Sequence, residues 1–287
     1  FYIGGNDSMD TISKLSDYAC MTGSDIKFMG VPKTIDNDLM NTDHTPGYGS
    51  AAKYIGAIMK EITRDSLVYG TRNVTIVEVM GRNAGWLTGA AALAKAEDCE
   101  GVDMICLPEV AFDQDAFIEK VRTSLETTPN LVVCISEGIN DGKGTFICEY
   151  ASEVGTDTFG HKMLTGSGKY LENLVKERLG VKVRSVELNV CQRCSCSHLS
   201  RVDLDEAVNA GVYAVQAALA GESGKMITFI RNKSVPYELS YSTADVNIIC
   251  NKEKCVPLEW ITNDGSDISD AFIDYVRPLT QGHVELP

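Results

Sequence analysis

Short β-branched runs that end at glycine alternate along this chain with segments of helical periodicity, and that alternation limits the fold more than any other feature. FYIGG at 1–5 reads as the end of a strand, and Met9, Ile12 and Leu15 then recur at helical spacing. DIKFMGVPKT is a short apolar run ending in Pro32, followed by a loop through His44. Ala51, Tyr54, Ile55, Ile58 and Ile62 mark a helix over 50–67, and NVTIVEVMG at 73–81 is a strand stopped by glycine. The pattern next predicts a helix over NAGWLTGAAALAKA, a strand at VDMICLP, a helix over DQDAFIEKVRTSLE and a strand at NLVVCISEG. After Gly180 come a strand, VKVRSVELNV, and a helix over 203–220. Such alternation predicts an α/β fold with mostly parallel sheets flanked by helices. Ligands in this architecture bind at loops on the carboxyl ends of strands, which is where the polar motifs of this chain fall.

At 287 residues and 44% hydrophobic, the chain is long enough for two ordinary domains or one large α/β unit split by a cleft. No run of eighteen or more apolar residues occurs, and the first residues lack the basic and apolar halves of a secretory signal. The ten cysteines are irregularly spaced, so the expectation is buried, reduced thiols in a cytoplasmic protein, not a disulfide framework. A formal net charge of -14 argues against general affinity for nucleic acid or for an anionic membrane. Any phosphate must therefore meet a locally positive site. Because Phe1 and YIGG read as the end of a buried strand, residues upstream of the sequence are expected.

VPKTIDND at 31–38 places Lys33, Thr34, Asp36 and Asp38 within six residues. A solvated turn would use the same residue types. Two carboxylates beside a hydroxyl nucleophile and a metal can instead serve as base and metal ligand, Thr34 can orient the nucleophile, and Lys33 can reach phosphate oxygens as a point charge. IGGNDS at 3–8 offers two glycines that let the backbone approach an anion at a helix start, although Asp7 would repel a phosphate unless a metal or lysine intervened. VEVMGRNAGW at 77–86 repeats the design with Arg82 at a strand end. Glu137 in ISEG and Arg193 in CQRC follow the next strands, and together they suggest a polar cleft for a phosphorylated, hydroxyl-rich molecule. CQRCSCSH at 191–198 matches no common structural zinc spacing. TGSGKY at 165–170 lacks the P-loop glycine spacing and reads as a helix start able to hold an anion.

These motifs, in this order, resemble the phosphofructokinase family. GGNDS looks like its GGDGS or GGDDS loop, PKTIDND like PGTIDND or PKTIDND, VEVMGRNAGW like VEVMGRHAG, ISEG like its sugar-binding acidic turn and CQR like its QRG turn. The resemblance covers about 3–205. It implies two α/β domains with chain crossings near Gly47 and Gln192: 1–47 with 192–240 as the phosphoryl-donor domain, and 48–191 with 241–287 as the sugar-phosphate domain. The family's first strand and its own glycine-rich phosphate loop are expected upstream.

ATP-dependent members carry glycine where Asp7 and Lys33 stand here, whereas pyrophosphate-dependent members carry aspartate and lysine. An Asp7 carboxylate would repel the α-phosphate of ATP, while Lys33 would stabilise charge on a transferring pyrophosphate. The resemblance thus implies a glycolytic phosphotransferase acting from pyrophosphate on the 1-hydroxyl of fructose 6-phosphate. Asp36 would be the base, Thr34, Ile35, Met80, Gly81, Arg82 and Glu137 would contact the sugar, and Arg193 would bind its 6-phosphate. Gly4, Gly5, Asp7, Ser8 and Lys33 would hold the donor. Arg184 resembles an arginine sent across a subunit interface to the 6-phosphate, which implies a homo-oligomer, dimer or tetramer. Mg2+ would sit on Asn6, Asp7 and Asp38, with Asn6 a neutral substitute for the family's aspartate. Valine at 190, and Cys194 and Ser195 after QR, also depart from the pattern. Two alternatives remain: the same reaction with ATP, or a non-catalytic, sugar-phosphate-binding regulatory subunit.

Overall fold

The computed structural model describes residues 1–150 and 166–285. In chain order the elements are β1 (Tyr2–Gly4), α1 (Asn6–Thr22), β2 (Met29–Pro32), α2 (Tyr48–Leu67), β3 (Asn73–Val79), α3 (Trp86–Gly89), β4 (Met104–Cys106), α4 (Gln114–Thr127), β5 (Asn130–Ser136) and α5 (Ser167–Leu179). They continue with β6 (Lys182–Glu187), α6 (Cys191–Cys194), α7 (Arg201–Leu219), β7 (Lys225–Ser234), β8 (Tyr237–Asp245), β9 (Ile261–Thr262), β10 (Asp267–Ile268) and α8 (Asp270–Val276). The chain divides into two compact units, one of Phe1–Ala51, Cys196–Lys254 and Asp274–Pro287, the other of Ala52–Ser195 and Cys255–Ile273.

The first unit is built on a four-stranded sheet of order β1-β2-β7-β8, parallel except for the β7–β8 hairpin. Side chains alternate across a strand, and consecutive residues Met226 and Ile227 show the result. Met226 joins Met9, Ile12 and Leu39 in the core under α1, while Ile227 joins Met29, Val31, Ala210 and Ala214 under α7. Leu15, which shares the spacing of Met9 and Ile12, is exposed.

The second unit carries a four-stranded all-parallel sheet of order β4-β5-β3-β6. Every residue of β3 and β5 is buried, as expected of central parallel strands covered on both faces. Val74, Ile76, Leu131, Val133 and Ile135 pack against Phe117, Val121 and Leu125 of α4 and Leu171 and Val175 of α5. Burial of each such side chain contributes about 1.5–3 kcal/mol. Asp113 starts α4 by accepting the N–H groups of Asp115 and Ala116 at 2.9 Å.

Three expectations need correction. The helix over NAGWLTGAAALAKA is one α-turn at Trp86–Gly89 followed by a 3₁₀ segment, Ala90–Ala94. The Phe272 ring occupies the space a side chain at Gly89 would need. Residues 241–254 and 274–285 return to the first unit, because β8 pairs with β7 and Tyr275 bonds to Asn37 and Asp43. Only five of the ten cysteines are buried; Cys20, Cys191, Cys194, Cys196 and Cys255 are exposed, and all ten are free thiols.

The start of α5, read from TGSGKY as an anion site, already holds a carboxyl of the chain itself. Glu78 of β3 accepts the N–H groups of Gly166 at 3.3 Å and Gly168 at 2.7 Å; Thr165 lies outside the described residues. Burial, reinforced by Glu187 and opposed by the two amides, pushes the Glu78 carboxyl from 4.5 up to about 7. An acid raised on folding favours its neutral form in the folded state. Its contribution to stability is therefore most favourable below the ordinary value, falls between about pH 4.5 and 7, and is level above. Denaturant unfolding across pH 4–8 should show this fall, on the order of 3 kcal/mol at most. In Glu78→Gln the fall should shrink but not vanish, because Asp38 keeps its own raised carboxyl, and an equal slope in both proteins would refute the assignment.

Candidate active site

In the first unit β1 and β2 run side by side, Gly4 opposite Pro32. This register delivers the next residue, Lys33, to the glycine turn, where its N–H donates to Gly4 O at 3.0 Å. A Cβ on Gly4 would collide with the Ser8 side chain, so the turn into α1 needs glycine there. Gly5 O accepts the N–H groups of Ser8 and Met9 at 3.1 Å, and Asp7 stands exposed in the first turn of α1. Asp7 is favourable there against the helix dipole. Lys33 is exposed and has no ion-pair partner among the described residues. Asn6 is differently employed: its Nδ2 donates to Lys252 O and its Oδ1 accepts from Asn251 N, both at 2.6 Å. That takes up its amide nitrogen and one acceptor site, leaving a poorer metal ligand than the sequence suggested.

Thr34 is fixed at three points. Its N–H donates to Pro46 O at 3.2 Å, its carbonyl accepts from Thr45 Oγ1 at 2.7 Å, and its hydroxyl accepts the Asp36 N–H at 3.2 Å. The same hydroxyl donates to Asp36 Oδ2 at 3.4 Å. Asn37 takes a left-handed conformation at φ 55°, which asparagine tolerates better than most residues. It is fully buried, with half-buried Asp36 and Asp38 on either side. Burial first, and then Asp36, push the Asp38 carboxyl up to about 7. Asp38 Oδ1 is buried without a hydrogen-bond partner among the described residues. A raised carboxyl with an orphaned oxygen is the electrostatic signature of a site that a cation would relieve. The fit is to a partial shell, since no group of three or more His, Cys, Asp or Glu that could hold a metal occurs among the described residues.

In the second unit the sheet order makes neighbours of strand ends far apart in sequence. Val79 pairs with Ser136, so the turns after β3 and β5 lie together. Glu137 donates its N–H to Val79 O at 2.8 Å, and its Oε1 accepts the Gly81 N–H at 3.2 Å. Gly81 has φ 130°, and a Cβ there would fall 2.6 Å from Ala84 O, so only glycine makes this turn. Gln192 Oε1 accepts the Met80 N–H at 3.3 Å, which ties the CQRC turn to the same edge. Met80, Gly81, Arg82, Glu137 and the turn bearing exposed Arg193 are thereby brought together.

Arg184 is not among them. It lies opposite Thr75, inside β6 and away from the carboxyl edge. There its guanidinium is 5.3 Å from the Tyr69 ring centre and 3.7 Å from Asp65. Sequence reasoning missed Gln192 as a site residue, although its motif was quoted. Gln192 is 3% exposed, and its Nε2 has no hydrogen-bond partner among the described residues. It also missed Ser136, whose hydroxyl donates to Gly81 O and accepts from Gly138 N.

Comparison with known proteins identifies the family. A curated pyrophosphate–fructose 6-phosphate 1-phosphotransferase of Xanthomonas campestris pv. campestris (strain B100) is 39% identical over 99% of this chain and 68% of its own. One of that name from Methylococcus capsulatus is 37% identical, over 98% and 67%. The crystal structure of a pyrophosphate-dependent phosphofructokinase from Marinobacter aquaeolei superposes with a TM-score of 0.87 at 35% identity, covering all of this chain and 68% of that one. The family described as Phosphofructokinase matches residues 1–218, and the chain belongs to the phosphofructokinase family.

Proposed function

We propose that this chain transfers a phosphoryl group from pyrophosphate to the 1-hydroxyl of fructose 6-phosphate, giving fructose 1,6-bisphosphate and phosphate, reversibly. The observation that carries this reading is the pairing of Lys33 with the Gly4–Gly5 turn beside Asp7. A carboxylate and an ammonium at the donor turn suit a short, highly charged donor and oppose a nucleotide.

Phosphoryl transfer asks for positioning and neutralisation of charge. Asp36, oriented by the Thr34 hydroxyl, takes the proton as the sugar 1-oxygen bonds to phosphorus and the P–O bond to the departing phosphate breaks. Lys33 meets the charge that grows on that phosphate, and Gly4, Gly5 and Ser8 line the donor turn. Thr34, Ile35 and Met80 contact the sugar, Gly81 and Arg82 hold it, Glu137 accepts from its hydroxyls and Arg193 pairs with the 6-phosphate. Asp38 and Asp7 would hold Mg2+, with Asn6 shaping the turn, and the ion would neutralise charge on the donor. Arg184, exposed on β6, is assigned to a subunit interface of a homo-oligomeric, cytoplasmic enzyme. No described helix is long and apolar enough to cross a membrane.

A coupled assay for fructose 1,6-bisphosphate, run with pyrophosphate and with ATP, tests the reading. Turnover with pyrophosphate and little with ATP is expected. Turnover with ATP alone would reassign the donor, and sugar-phosphate binding without turnover from either would make the chain a binding subunit.

A further inference from the structure

The segment that carries Asp36 and Asp38 makes few backbone ladder bonds of its own between 35 and 42. What closes it comes from more than two hundred residues away. The backbone N–H of Lys254 donates to Asp38 O at 2.7 Å. Its ammonium donates to Asn37 Oδ1 at 3.2 Å, Thr42 O at 3.1 Å and Asp43 O at 2.8 Å. An ammonium has three N–H donors, and all three are taken by this one segment. The second support is Tyr275, whose hydroxyl accepts from Asn37 Nδ2 at 2.9 Å and donates to Asp43 O at 2.7 Å. Asp43 is itself held by Arg231 Nη2 at 2.8 Å and lies 2.8 Å from His44 Nδ1. Asn37, wedged between the two aspartates, thus has both ends of its amide held from behind.

We infer that Lys254 is the positioning residue of this segment: its ammonium gathers the stretch from Asn37 to Asp43 around itself and thereby sets where Asp36 and Asp38 point. Lys254 touches no reacting atom in this account. Its catalytic consequence rests on the proposed phosphoryl transfer, whereas its structural consequence does not. Methionine at 254 keeps the length of the side chain and removes the donors, so Asn37 Oδ1 and Thr42 O lose this partner inside buried residues, while Asp43 O keeps the Tyr275 hydroxyl. Misplacement of a reacting group by about 1 Å costs on the order of 100-fold in rate.

The experiment compares wild type with Lys254→Met and Lys254→Ala by amide exchange and by kinetics. Exchange at 36–43 should quicken by roughly tenfold or more in both variants, with β3 and β5 unchanged. The kcat should fall on the order of 100-fold while KM for fructose 6-phosphate stays within about threefold. Methylammonium should restore part of the kcat of Lys254→Ala, and tetramethylammonium, which has no N–H, should not. If Lys254→Met does not fold, Lys254→Gln, which keeps two donors, is read in the same way. Unaltered exchange at 36–43 overturns the inference whatever the activity, as does equal rescue by both ammonium ions. If the wild type itself transfers no phosphoryl group, the functional reading fails and the exchange result alone decides the role of Lys254.

Discussion

Replacing Asp36 with serine should lower turnover with pyrophosphate by roughly 100- to 10,000-fold, the range over which a positioned general base contributes. The sugar-phosphate KM should move little, because Glu137 follows β5 and Arg193 lies on α6, both outside the segment that carries Asp36. Folding should survive: Asp36 is only half-buried, and the Thr34 hydroxyl would keep its bond to the backbone N–H of residue 36 at 3.2 Å. Asparagine at 36 keeps the shape and removes the proton acceptor, so it should fall as far as serine. A variant that retains a near-normal kcat at either substitution would show that the proton leaves by another route. A loss confined to KM would instead make Asp36 a binding group with equal hold on ground and transition states.

The parts of this site that were legible in the sequence are those encoded locally. A buried parallel strand is a run of apolar residues, and NVTIVEV and NLVVCIS became β3 and β5 with every residue buried. The polar residues that follow such a run must lie at its carboxyl edge, so Arg82 and Glu137 could be placed without knowing the strand order. That reasoning offers no placement for a charged residue inside the strand: Arg184, three residues before the end of β6, lies against Asp65 and Tyr69, away from the edge turns. Nor does it reach support from a distance. Lys254 and Tyr275 contact Asn37 across 217 and 238 residues, and no local pattern marks a lysine as one whose donors close a distant loop. The β7–β8 hairpin went unread although Tyr237, Leu239 and Tyr241 alternate in β8, a period-two signal that was available. Gln192 shows a third limit. Its motif was visible, but that its carboxamide rather than a backbone group ties Met80 to α6 depends on where the helix packs.

Donor choice is where Asp7 and Lys33 should act in opposite senses. In Asp7→Gly the chain loses a negative charge and a side chain from the first turn of α1, where the family pattern places the α-phosphate of ATP, so measurable ATP use should emerge and pyrophosphate use should fall. Glycine also weakens a helix by about 1 kcal/mol relative to alanine, and Asp7→Ala therefore serves as the control: it should gain ATP use as well, with a smaller loss of stability. In Lys33→Gly only the side-chain cation is lost; the backbone N–H of residue 33 still donates to Gly4 O, so the β1–β2 pairing should persist. What disappears is charge at the moment of transfer. The kcat should drop by more than the apparent affinity for pyrophosphate, by as much as roughly 2.7–4 kcal/mol if Lys33 acts as a preorganised donor to the developing oxyanion. Steady-state constants for both donors in the wild type and the single variants decide this. Preference of the wild type for ATP, or an Asp7→Gly protein that still uses pyrophosphate normally and ATP not at all, would remove Asp7 from the role of discriminator and leave Lys33 to carry the selection alone.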